Sequence, residues 1–428
     1  MRAAWICALC LLATGCGAGA EPPHATVIQV PGDAGSIQQA VSAARPGDLV
    51  LVAPGTYRES VRIGTRDVVL RGADRNRVII DGEVRRANGV VVTAPGVAVE
   101  NLTVRNHTLN GVLATGMSDG AGGLAHGSSG YTRLDPAAFP PLQGFRVSYV
   151  TASNNALYGI YAFDARHGVI EHSYASGSAD SGIYVGQCKP CDVLVTGNVA
   201  ERNAVGFEGA NASGALFVLG NRFSGNRVGL TSGSDYQEAL VPQEDATIAG
   251  NLIAHNAEPA TPAQADGAFG LGIGIAGGRR NLVARNLIIG NPGAGITLAS
   301  SEDLPPSGNR LLANMLRDNG IDLVYAASAR APGAGNCLSG NELRTTLPAT
   351  LVELMPCPAG SAPAAGVAAP RVVAPPGMAF RAVPAGPAQP NRPDGPPVAA
   401  RGLPGRVDAD AVPLPAETLL IERSGITW

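Results

Sequence analysis

Six times this chain of 428 residues reads asparagine, four residues, asparagine: Asn101/Asn106, Asn198/Asn203, Asn221/Asn226, Asn251/Asn256, Asn286/Asn291 and Asn314/Asn319. The residues between are mostly apolar or small, as in NLTVRN, NLIAHN and NLIIGN. Soon after, a glycine opens another short apolar strand, as at Gly111-Val112, Gly206-Phe207, Gly229-Leu230, Gly295-Ile296 and Gly320-Ile321. Gly159-Ile160 and Gly182-Ile183 follow the pattern without a full asparagine pair, and from Gly159 to Gly182, Gly206 and Gly229 the steps are 23, 24 and 23 residues. A period of this length marks a solenoid. The leucine spacing of a leucine-rich repeat is absent, and propeller blades are about twice as long. A parallel β-helix fits the chemistry. Its coils turn sharply several times in one sense, which Asn and Gly tolerate, and stacked coils about 4.8 Å apart let equivalent Asn side chains form ladders. The asparagines are therefore read as structural.

Composition agrees with a thin core. Aromatic residues make up 4% of the chain, and short Val/Ile runs take their place. The formal net charge of −3 gives no electrostatic pull towards nucleic acid. Val27 to Val30 reads as a first strand. A helix follows, with Ser36 as N-cap, Gln39 three positions on, Ile37, Ala40, Val41 and Ala44 on one face, and Pro46-Gly47 as its stop. Leu49–Val52, Val68–Leu70 and Val78–Ile80 read as buried strands. The helix is placed over the first coil, whose open core would otherwise invite association. The repeat spans 27–325. Residues 326–357 read as a C-terminal cap, and 358–428, rich in Pro, Ala and Gly, as a disordered, low-complexity tail.

The N-terminus addresses the chain. Arg2 supplies a minimal positive region and Ala3 to Ala13 a short apolar one, too short to span a bilayer. Leu12-Ala13-Thr14-Gly15-Cys16 resembles a bacterial lipobox, which implies a signal peptide over 1–16, lipidation at Cys16 and an exported, envelope-tethered protein whose only membrane link is that anchor. Cys7 and Cys10 leave with the leader. Cys188-Lys189-Pro190-Cys191 and the pair Cys337/Cys357 stay in an oxidising compartment and are expected as two local disulfides. No βαβ pattern supports a thioredoxin-like CxxC, and no further Cys or His lies at zinc spacing. No cofactor or metal site is expected.

Aligning the coils on their glycines places Tyr161, Tyr184 and Glu208 in one outward row, Phe163, Gly186 and Ala210 in a second, and Asp164, Gln187 and Asn211 at a turn. Two interruptions, 116–144 and 234–246, leave the repeat just after the glycine-opened strand. They are expected as two walls on one side, with the coils of Gly159, Gly182 and Gly206 as the floor of an open trough. Loops that break a repeat gather on its binding face. Tyr161, Phe163, Arg166, Gln187, Lys189 and Glu208 are the candidate binding residues, suited to an oligosaccharide.

YAFDARHGVIEH, at 161–172, resembles the FDPH stretch of mannuronan C5-epimerases, β-helix enzymes. Phe163, Asp164 and His167 carry the match, with one extra residue between Asp and His and no proline. The resemblance implies proton abstraction from a uronate, with Asp164, His167 and Tyr184 as catalytic candidates and Arg166 or Lys189 facing the substrate carboxylate. GTYRESV is similar to pectin methylesterases, whose paired-aspartate strands are absent here, and polygalacturonase motifs are missing too. Over about 27–325 the chain resembles the right-handed parallel β-helix, pectin-lyase-like group, including NosD-like copper-maturation proteins, though a copper site is not evident. The reading is an exported β-helix protein that binds or modifies an acidic polysaccharide, as a lyase or epimerase if it is an enzyme. The alternatives are a NosD-like scaffold for a cell-envelope protein partner and a purely structural envelope protein.

Overall fold

A computed structural model describes residues 26–125, 135–263, 268–358, 366–395, 407–426 and 428. The expected leader with Cys16, and residues 126–134 of the first interruption, lie outside these. The strands form three parallel sheets of twelve, eleven and ten strands, each coil contributing in turn to each sheet. The register is the one the glycines set. Val112 pairs with Ile160, Ile160 with Ile183, Ile183 with Phe207, and Phe207 with Leu230. These inward side chains are at most 1% exposed and run on into a single core from Val30 to Met355.

The asparagine ladders are present, for a reason only partly foreseen. Asn198 Nδ2 donates to Asn221 Oδ1 at 2.9 Å, Asn221 to Asn251 at 3.0 Å, Asn251 to Asn286 at 2.9 Å, and Asn286 to Asn314 at 2.9 Å. A second ladder runs from Asn203 through Asn226, Asn256 and Asn291 to Asn319 at 3.0–3.1 Å. These Asn residues are not themselves left-handed. The residue before each one is: Gly197, Arg202, Gly220, Gly225, Gly250 and His255 have φ between 50° and 62° up to Gly225, with Gly250 at 66° and His255 at 50°. The turn thus aims the next side chain inwards, and the Asn amide satisfies buried carbonyls of the adjoining coil. At Gly159 and Gly206 the requirement is space rather than φ, since a Cβ would meet the carbonyl oxygen of the next coil at 2.5 Å.

Both ends are closed. The helix Ile37–Ala43 buries Ile37, Ala40 and Val41 on the first coil, with Ser36 Oγ accepting from Gln39 N at 3.1 Å. The Glu59 carboxylate accepts from the N–H groups of Ile37 and Gln38. At the far end stacking continues past residue 325: Cys337–Ser339 pairs with Arg310–Leu312, and Thr346–Leu347 with Leu323–Val324. Leu351 and Met355 cover the last coil, pinned by the Cys337–Cys357 disulfide. Cys188 and Cys191 form the second disulfide.

The C-terminal stretch departs from the expectation of disorder. Residues 366–395 run back along the solenoid: Val367 N donates to Tyr325 O, Met378 N to Thr261 O, and Asn154 Nδ2 to Phe380 O and Val383 O. Near the first coils Gln389 N meets Asn76 Oδ1 and Arg392 N meets Asn101 Oδ1. Residues 407–426 pack again, with Arg423 Nη2 donating to the carbonyls of His172 and Ser173 at 2.9 and 2.8 Å. A proline-rich strand lacks the N–H groups for a sheet ladder, but its carbonyls remain acceptors. Buried arginines of the solenoid use them: Arg222 reaches Glu417 O and Leu419 O, and Arg75 reaches Pro390 O. Among the described residues no helix is long and apolar enough to cross a membrane.

Candidate functional site

The outward row on the eleven-stranded sheet runs Val91, Leu113, Tyr161, Tyr184, Glu208, Thr231, Gly274 and Thr297, each paired with the next. Its first half is apolar and aromatic, and from Glu208 onwards it is polar or bare. Beside it the row from Phe163 passes through Gly186 and Ala210, which are buried, to Gly233, Ala276 and Ala299, small residues that leave the backbone open to approach.

The open trough with a tyrosine floor is not what forms. Tyr161 and Tyr184 are 6% and 3% exposed, because the two interruptions fold over them instead of standing apart as walls. Met117, Leu124 and Phe139 of the first pack with Tyr161, Phe163, Tyr184 and Tyr158 into a satellite core outside the sheet. The rings of Tyr158 and Tyr161 lie 4.5 Å apart, those of Tyr158 and Tyr184 4.7 Å, and those of Tyr161 and Tyr184 5.0 Å edge to face. The neck of the first interruption closes on Asp164, whose carbonyl accepts from Gly116 N and Leu142 N at 3.1 and 2.9 Å. The second closes where Gln243 N donates to Ser234 Oγ at 2.9 Å. It seats on the floor through Tyr184 Oη to Glu238 Oε1, and through Ala239 N to Gln187 Oε1 at 2.9 Å.

Other candidates are dispersed by the same geometry. Asp164, Gln187 and Asn211 do form the turn row, each with φ of 45–50°. Asp164 is 2% exposed, its Oδ2 has no hydrogen-bond partner, and burial raises its pKa to about 6, with Arg166 opposing. Gln187 is buried against Met117. His167 lies beyond the turn on the twelve-stranded sheet, 55% exposed, its Nδ1 3.1 Å from Asp192 Oδ2. Arg166 begins that same strand. Lys189 is held by Glu244, which also takes Arg280. Asp164, His167 and Tyr184 therefore share no open site: one is under a loop neck, one is on another sheet, and one is sealed by Glu238.

Glu208 is the exception, because it stands where the covered half of the row ends. A cleft of about 440 Å³ opens beside it, floored by Thr231, Gly274 and Thr297 and edged by Asp235, Leu271 and Ser301. Behind Glu208 the Ser181 hydroxyl faces two carboxylates, Glu208 Oε2 at 2.5 Å and Asp180 Oδ1 at 3.3 Å. One hydroxyl proton serves one acceptor at a time. Burial, then the charge of Asp180, pushes Glu208 up to about 7, and burial pushes Asp180 up to about 6. Glu238 is raised well above the carboxylate range by burial. The sequence reading missed Tyr158, Ser181 and Glu238. Tyr158 and Ser181 occupy one register position, immediately before Gly159 and Gly182, and were legible there. Glu238 sits in an interruption, which has no register. Among the described residues no group of three or more His, Cys, Asp or Glu is placed to hold a metal ion.

The fold and its register place the chain among the right-handed β-helix proteins: the family described as "Right handed beta helix region" matches residues 88–241 and 141–314, and the chain belongs to it. It is similar to the A-modules of two Azotobacter vinelandii mannuronan C-5 epimerases. For that of AlgE4 the identity is 16% over 75% of this chain and 93% of that one, with a TM-score of 0.51. For that of AlgE6 it is 17% over 72% and 82%, with a TM-score of 0.53. The Dettilon tailspike protein gp208 is similar at 13% identity over 74% of this chain and 62% of that one, with a TM-score of 0.52. At these identities the likeness is one of fold. No curated protein sequence matches the chain.

Proposed function

We propose that this is an exported, lipid-tethered protein that binds or modifies a polysaccharide in the cleft beside Glu208. The observation that carries the reading is the division of one outward row. Two interruptions of the repeat seal its first half and stop at Glu208, leaving the next coils, at Glu208, Thr231, Gly274 and Thr297, to line one cleft. At about 4.8 Å per coil these span about 14 Å, a length suited to a short run of sugar rings. Carboxylates and hydroxyls on the floor and rim take up sugar hydroxyls, and the apolar edge at Leu271 and Ala268 meets ring C–H faces. Two structural relatives are named for acting on mannuronan, and a polysaccharide partner agrees with that. Two disulfides fit an oxidising compartment, and the lipobox-like Cys16 supplies the tether.

The test is a polysaccharide array probed with the mature protein and with Glu208→Gln. The reading expects wild-type binding to at least one polymer and a loss of tenfold or more in the variant. Failure of the wild type to bind any polymer, together with capture of an envelope protein by the solenoid, would favour the scaffold alternative.

A further inference from the structure

Within that reading, we infer that the ligand of the cleft is an uncharged sugar, held through its hydroxyls by Glu208 and Asp235, and not a uronate. The inference rests on the proposed polysaccharide function and narrows its substrate class against the acidic polymer that the FDPH-like stretch implies.

A uronate brings a carboxylate, and a site that accepts it must supply a cation or a dense set of donors. None of the described residues that line the cleft is Lys, Arg or His. Its charged side chains are Glu208 and Asp235, both acids. The cations that a uronate reading needs are elsewhere. Lys189 is engaged by Glu244, and Arg166 lies past the Asp164 turn on the twelve-stranded sheet. Behind the cleft the ionisable neighbours of Glu208 among the described residues are acids and phenols: Asp180, Asp235 and Glu238, with Tyr158, Tyr161 and Tyr184. A substrate carboxylate at the floor would therefore meet acids and neutral hydroxyls, with no cation among the described lining residues to offset its charge.

An uncharged sugar meets the opposite situation. Its hydroxyls donate, and carboxylate, Ser and Thr oxygens accept. The Asp180–Ser181–Glu208 chain adds a second capacity. Two carboxylates sharing one hydroxyl retain a proton between them, so Glu208 can also donate to a sugar oxygen. The elevated pKa values of Glu208 and Asp180 agree with this. The glycine and alanine row from Ala210 to Ala299 lets a ring lie close to the backbone.

The experiment compares wild type, Glu208→Gln and Thr231→Trp against two panels: neutral glucans, mannans, xylans and galactans, and the uronate polymers mannuronan, guluronan and polygalacturonate, each with and without calcium. The expected result is binding to a neutral polymer, at least tenfold weaker or absent for the uronates. Thr231→Trp fills the floor at a partly exposed position on the coil next to Glu208 while keeping both acids in the chain, and it should abolish binding even if Glu208→Gln folds poorly. Wild-type binding to a uronate polymer as tight as to any neutral one, with or without calcium, overturns this inference and leaves the polysaccharide function standing. Undiminished neutral-polymer binding by Thr231→Trp also overturns it. No binding to either panel overturns the function itself.

Discussion

Tyr184 donates its hydroxyl to Glu238, 54 residues further along the chain, and this bond joins a coil of the solenoid to the loop that covers it. The loop is thereby part of the folded body. It also decides which stretch of the outward row meets solvent, because the covered half ends at the next coil, on Glu208.

Removing that hydroxyl tests the seal. Tyr184→Phe keeps the packing against Tyr158 and Tyr161 and loses one hydrogen bond to a buried acid, at a cost of about 1–3 kcal/mol. Hydrogen exchange in 234–246 should rise while the strands of the floor stay protected. Unchanged exchange in that loop would mean that Ala239 and Gln187 suffice to hold it.

The ladders make a second expectation. Asn226 Nδ2 donates to Asn256 Oδ1 and Ala200 O, and its Oδ1 accepts from Asn203. Asn226→Ala leaves buried partners on both adjoining coils unsatisfied, and should cost about 3 kcal/mol by denaturant unfolding. Asn101→Ala should cost less, since Asn101 lies outside the two long ladders and bonds Gly72 O and Arg392 N.

These two sites show how far the sequence could be read. The coil register followed from Gly159, Gly182 and Gly206, because each glycine sits where the next coil leaves no room for a Cβ, through a carbonyl at Gly159 and Gly206 and through the Asn203 amide at Gly182. The row Tyr161–Tyr184–Glu208 followed from that register. Whether those tyrosines face solvent did not, since it depends on where Met117, Leu124, Phe139 and Glu238 fold back, and the interruptions carry no periodicity. The tail was misread for a related reason. Its proline content excludes a ladder strand, but the acceptors it offers are backbone carbonyls, and their donors, Arg75 and Arg222, lie 150 or more residues away in sequence.

The acid pair predicts a pH signature. Glu208 and Asp180 are raised from 4.5 to about 7 and from 3.8 to about 6. The folded state therefore keeps protons that the unfolded chain has lost, and their contribution to stability is complete below about pH 4 and lost as pH rises through about pH 7. Buried His107, lowered from 6.5 to about 4, acts in the opposite sense over much of that range. The difference between wild type and Glu208→Gln separates the two. Melting curves from about pH 4 to about pH 8 should show wild type losing ground to the variant as pH rises; a constant difference contradicts a proton held at Glu208.

The tail can be tested at one residue. Arg423 is 3% exposed and donates to the carbonyls of His172, Ser173 and Gly197. Arg423→Ala should cost about 2–3 kcal/mol of docking and make 407–428 sensitive to limited proteolysis, with the solenoid intact. Resistance equal to wild type would show that the Arg222 contacts, with the bonds that Ser424 Oγ and Gly425 N donate to the Glu201 carboxylate, hold this segment without it.

The most direct test of the account is to map where a bound polysaccharide lies. Hydrogen exchange is measured on the protein with and without the tightest polymer from the array. The account predicts new protection in 231–235, 271–276 and 297–301, beside Glu208, with no change around Arg166 and His167. Protection confined to that Arg166/His167 edge or to the tail-covered face, with the cleft unchanged, would contradict it.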